Sequence, residues 1–225
     1  MKKIICLILV IIAAVTGGVF VYLHMDKQVD ILNREADTIK KMDIKNDKID
    51  MKLYCTGDYM AVEDTMKEYI DSYLGEIEKF EAVMNDTRLS DLLAIDNIAS
   101  DNPEFINSRE LLNEKKQELE DEAQILNDMA KEENILAAID EESINDFQKR
   151  LYDDVMLEKI GTNFFYPESE ITKAKEEKLS KLDDMMSVFD FLQLNLGNWS
   201  IDNNILRFTN DQLLNEYRDL ISRID

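Results

Sequence analysis

The 225 residues carry a net charge of −22, with 45% hydrophobic and 33% charged residues, the balance of a folded chain and not of a disordered one. So acidic a surface repels phosphate backbones, which excludes nucleic acid as a partner. Two prolines and six glycines are too few for the turns of a sandwich or barrel, so the chain is expected to be mainly α.

Ile4–Leu23 holds no charge and is long enough, at about 1.5 Å per residue, to cross the roughly 30 Å core of a bilayer. A cleaved signal peptide is the rival. Its apolar region is usually shorter and ends in small residues, whereas Thr16-Gly17-Gly18 runs on into VFVYL. Residues 1–24 are therefore expected to be an uncleaved anchor. Lys2 and Lys3 precede it and acidic sequence follows it, which keeps the N-terminus cytoplasmic and the bulk of the chain outside. Ala13 with Gly17, and Ala14 with Gly18, are small residues one turn apart and offer a close-packed face for homodimerisation in the membrane. His24, the only histidine, falls at the outer membrane boundary with Tyr22, where an interfacial role outweighs a catalytic one.

Residues 25–56 are expected to form a juxtamembrane stalk and linker. Val29, Leu32, Ala36 and Ile39 follow a/d spacing, and Ile49, Met51, Leu53 and Cys55 then alternate as in an extended stretch. A helical bundle domain is expected over 57–225, punctuated by Gly57, Pro103, Gly161, Pro167 and Gly197. Its clearest helix covers Asp58 to Asn85, with the stripe Tyr59, Val62, Met66, Tyr69, Tyr73, Ile77, Phe80 and Met84. A second is expected to start at Pro103, capped by Asn102 or Asp101, and to reach about Ala138 with Leu112, Leu119 and Leu126 at heptad spacing. A third carries Ile144, Phe147, Leu151 and Val155 and ends at Gly161. The next runs from about Ser169 to Leu196 and buries Leu182, Met186, Phe189, Leu192 and Leu196.

At the C-terminus, Asn203-Asn204 fits a two-residue hairpin turn, because asparagine tolerates positive φ. This turn pairs Trp199 with Phe208 and Ile201 with Leu206, which gathers all four on one face. Thr209 and Gln212 then form a capping box for a closing helix.

Chemistry is sparse. Beyond the apolar segment the zinc ligands are Cys55 and His24 alone, and Cys55 is expected to be a free, half-buried thiol. Asp43, Asn46, Asp47 and Asp50 lack the alternation, central glycine and distal glutamate of a calcium loop. No nucleophile elbow or phosphate loop occurs, and paired carboxylates are uninformative among 48 acidic residues. The lysine, aspartate and isoleucine bias points to a bacterial chain, in which the sequons at Asn85 and Asn198 are incidental. The expected function is a non-enzymatic interaction or scaffold protein of the cell envelope, with no cofactor or metal and an unidentified protein partner. A small-ligand-binding or sensory domain acting through a membrane partner is the alternative.

Overall fold

A computed structural model describes residues 24–139 and 145–224. The apolar stretch Ile4–Leu23, the small residues Ala13, Ala14, Gly17 and Gly18, and Ile144 lie outside the described residues. Among those described, no helix is long and apolar enough to cross a membrane. The architecture is mainly helical with one small antiparallel hairpin, and it falls into two compact units.

Among the described residues, unit 1 draws on 24–74, 129–139 and 145–165. Its first helix, α1, covers 24–39 and buries Leu32, Ala36 and Ile39, three of the four apolar residues at a/d spacing. The residues expected as stalk and linker thus fold within this unit. Segment 47–56 has no helix or strand. Helix α2, Asp58–Met84, matches the expected span, and its stripe is buried from Tyr59 through Phe80 except for the half-buried Tyr69.

The helix expected to continue to Ala138 stops earlier, and the chain restarts at Lys131 as α6, Glu132–Ala137. Two causes meet at the break. The Tyr69 hydroxyl donates to the carbonyl of Met129 at 2.5 Å, satisfying one of the orphan acceptors of a helix end. Glu132 and Glu133 then suit the positive end of a new helix. Helix α7, Asp146–Asp153, begins with a capping box in which Asn145 accepts from the amides of Phe147 and Gln148. It leads directly into a π-helix, Asp154–Gly161.

The expected buried face Phe147–Leu151–Val155 is corrected here. Phe147 is 38% exposed, and Gln148, Tyr152, Met156 and Ile160 are buried instead, joined by Val155. A strict spacing of four drifts around an α-helix, which has 3.6 residues per turn. The wider i→i+5 winding takes up that drift. Phe164 and Phe165 close the unit, with Phe165 edge-on to Tyr73 at 4.8 Å.

Unit 2 comprises Gly75–Asp128 and Tyr166–Asp225. After the short helices α3, Arg88–Asp91, and α4, Ile95–Asp101, the long helix α5 runs from Ile106 to Met129. Pro103 therefore precedes the helix and does not lie in its first turn. Asp101 does serve as its cap, accepting from the amides of Asn107 at 3.2 Å and Ser108 at 2.8 Å. Leu112, Leu119, Ala123 and Leu126 are buried along α5. Helix α8, Glu168–Leu194, buries Leu182, Phe189 and Leu192. Leu196 lies past the end of α8 and is 46% exposed, contrary to its expected burial.

The hairpin has the expected register. β1, Trp199–Asp202, pairs with β2, Ile205–Phe208, through Trp199↔Phe208, Ser200↔Arg207, Ile201↔Leu206 and Asp202↔Ile205. Asn203 and Asn204 take φ of 51° and 59°, as a type I′ turn requires. Trp199, Ile201, Leu206 and Phe208 pack on the core of Ile98, Phe105, Leu112, Phe189 and Leu192. The indole nitrogen of Trp199 donates to the carbonyl of Leu192 at 2.7 Å. The last helix, α9, Asp211–Ile221, is capped by Asn210, which accepts from Leu213 N, one residue later than the expected box.

Candidate functional site

The most unusual chemistry among the described residues is a buried charge cluster in unit 1. The Lys67 side chain is 1% exposed and that of Glu63 is 0% exposed. The Lys67 ammonium lies 2.8 Å from Glu63, 3.0 Å from Glu35 of α1, and 2.6 Å from the carbonyl of Lys52. All three of its protons are thereby engaged. The second oxygen of Glu63 accepts from the backbone amides of Tyr54 at 2.8 Å and Cys55 at 2.7 Å. Gln28 of α1 adds a further fastening, its side-chain oxygen accepting from Thr56 N at 2.8 Å. The Tyr54 ring covers the Lys67 ammonium at 5.0 Å.

Burial alone would raise the Glu63 carboxyl. The hydrogen bonds from Lys67, Cys55 and Tyr54 outweigh it and hold the group below its ordinary value. Lys67 behaves in mirror image: burial pulls it down, and Glu63 and Glu35 raise it above the usual lysine range. A lysine held charged with no free proton is neither a base nor a nucleophile. The cluster instead ties segment 52–56 to α1 and α2.

Cys55 is a free thiol, 3% exposed, and so more deeply buried than the half-burial expected. Burial pushes it up to about 12, with the Glu63 charge adding to the effect. Thiolates are the reactive form, so Cys55 is inert in the folded chain. In a Cys6→Ser background, a water-soluble thiol reagent at pH 8 is expected to label Cys55 only after denaturant is added. Rapid labelling without denaturant would contradict its burial.

The aspartate-rich loop satisfies itself. Asp43 accepts from the Lys45 amide at 3.0 Å and the Asn46 side chain at 2.7 Å, and Asp47 accepts from the Asp43 amide at 2.8 Å. Asp50 accepts from the Lys52 amide and the Tyr54 hydroxyl. Among the described residues no group of acidic, histidine or cysteine side chains is arranged to hold a metal ion. His24 is exposed at the start of α1.

Unit 2 contains two features that sequence did not indicate. One is a cavity of about 350 Å3, lined by Met84, Leu182, Met185, Ile224, Lys178 and Lys181 among others. Lys178 donates to the Met84 carbonyl at 2.7 Å, and burial, reinforced by the Lys181 charge, holds it below the ordinary lysine value. Asp86 beside it is already paired, 2.6 Å from Arg88 and 3.5 Å from Lys115. The other is the carboxyl pair Glu76 and Glu122. Burial, then the hydrogen bond and charge of Glu76, raise the Glu122 carboxyl above its ordinary value.

Comparison with family models, with curated proteins and with solved structures gives no significant match.

Proposed function

We propose that the chain is a single-pass membrane protein whose acidic helical body stands outside the cytoplasm and serves as an interaction or scaffold component of the cell envelope, without catalytic activity. The observation that carries this reading is the charge-free Ile4–Leu23, preceded by Lys2 and Lys3 and followed by an acidic body. Two features of unit 1 support it. Lys67 is fully engaged and Cys55 is held protonated, so the strongest charge cluster acts as a fastener. Homodimerisation through Ala13, Ala14, Gly17 and Gly18 is part of the same proposal.

Protease added to intact spheroplasts is expected to digest the body and leave a small membrane fragment. Full protection would overturn the orientation, and recovery of the whole chain in the soluble fraction would overturn the anchor. Crosslinking in the native membrane is expected to trap a protein partner in a defined complex.

The cavity beside Lys178 and Lys181 favours a second reading, a site for a small amphipathic anion. Met84, Leu182 and Ile224 supply apolar contacts and two ammonium groups the positive charge, while the Asp86 carboxylate that also lines the space is paired with Arg88. A rise in melting temperature with such a ligand, abolished in Lys178→Met, would favour this reading over the scaffold.

A further inference from the structure

In unit 1, the described part of α1 and helices α2 and α7 run the same way from one end. Near their starts, Gln28 of α1 holds the Thr56 amide just ahead of α2, and Gln148 of α7 donates to the Asp58 carbonyl at 2.9 Å. Farther along, Glu35 of α1 meets Lys67 of α2, and Lys40, just past the end of α1, reaches the Lys159 carbonyl, in the π-helix beyond α7, at 2.8 Å. The contacts advance in step, so the three N-termini share one end.

At that end each of the three helices carries a large apolar side chain left in the open. Met25 is 41% exposed, Met60 is 46% exposed and Phe147 is 38% exposed. Tyr59 supports Phe147 from below, edge-on at 5.6 Å. In the sequence, the charge-free Ile4–Leu23 directly precedes the described part of α1 at this end. Gln28 is already packed, 4% exposed, only roughly 6 Å of helix rise beyond His24. No linker separates the anchor sequence from the packed unit.

We propose that this end of unit 1 is seated on the bilayer, with Met25, Met60 and Phe147 set into the boundary between headgroups and acyl chains. The proposal rests on the reading of Ile4–Leu23 as an anchor. It also specifies the lipid. Asp26, Lys27, Asp58, Asp146 and Lys149 lie at this end and sum to −1, so the contact is with a zwitterionic surface and weakens as anionic lipid is added. Apolar side chains of an interfacial helix sink about 5–10 Å into that boundary, within reach of these three.

The test uses the full chain in phosphatidylcholine nanodiscs containing lipids with a nitroxide close to the headgroup. In a Trp199→Phe background, a single tryptophan is placed by Phe147→Trp, by Met60→Trp, or by Lys159→Trp at the far end of the same unit. Quenching by at least half at 147 and 60, with little at 159, is the expected result, and it should fall when phosphatidylglycerol is added. Two separate helices carry the readout, so a folding defect in one variant leaves the other. Equal, weak quenching at all three sites in a chain that co-migrates with the discs would overturn the seating while leaving the anchor intact. A chain that fails to co-migrate would overturn the anchor, and the seating with it.

Discussion

Replacing Lys67 with methionine is expected to destabilise unit 1 by about 3–5 kcal/mol, because it leaves the Glu63 carboxylate buried without its partner. The loss can be read from urea denaturation of the detergent-solubilised chain by circular dichroism, and from faster hydrogen exchange at the Tyr54 and Cys55 amides that bind Glu63. The pH dependence gives a sharper test, since its sign reverses. In the natural chain Glu63 is held below its ordinary value, so its contribution is present above the unfolded carboxylate pKa and is lost as pH falls through the folded one. Without Lys67, burial is opposed only by the Tyr54 and Cys55 amides, and the same group is expected to rise. The variant should therefore gain more stability than the natural chain as pH falls from neutral towards about 4. Adding Glu63→Gln to Lys67→Met should recover part of the loss, since no buried charge then remains. A loss under about 1 kcal/mol, far below the range for a broken buried pair, would mean that water reaches the cluster.

This cluster also marks where sequence stops being informative. Glu63 and Lys67 are four apart on α2, which reads as an ordinary surface pair. A weak signal existed: both sit at the edge of the stripe that runs through Tyr59, Val62 and Met66. Burial comes from outside the helix, when Glu35 of α1 and the backbone of segment 52–56 close over the pair. No local pattern encodes that docking. The hairpin is the opposite case. A strict period of two on each strand and a turn of two asparagines leave one register in which the apolar faces agree, so Trp199↔Phe208 could be read directly. The span of α2 was legible because Gly57, with φ of 62°, punctuates its start and its stripe is unbroken. The face of α7 was misread because Phe147 and Leu151 are the more apolar pair, whereas Gln148 and Tyr152 are drawn inside by bonds to the carbonyls of Asp58 and Ile135. The start of α5 was misplaced because Pro103 suits a first helical turn, yet Glu104 and Phe105 intervene before the helix begins.

Those intervening residues supply the second large effect. Phe105 is fully buried, its ring centroid 5.2 Å from that of Phe189 and 6.5 Å from that of Trp199, yet its φ is +55°. A bulky L-residue is rarely found in that region, where the side chain crowds its own backbone at a cost of roughly 1–2 kcal/mol. The ring's burial offsets the strain, and the two contributions can be separated by truncation. Phe105→Ala is expected to cost unit 2 about 3–5 kcal/mol, as for other buried phenylalanines, because it empties the space beside Phe189 and keeps the strained backbone. Phe105→Gly removes one more carbon, and at most positions glycine is less stable than alanine by about 0.5–1 kcal/mol. Here the order should invert, with Phe105→Gly the more stable of the two by on the order of 1 kcal/mol, because glycine takes positive φ freely. Trp199 reports on both variants from the edge of the same core, its emission expected to move to longer wavelength as the hairpin leaves Phe105 and Leu192. If Phe105→Gly proved less stable than Phe105→Ala, the left-handed conformation at this position would be refuted, and the path of the chain into α5 with it.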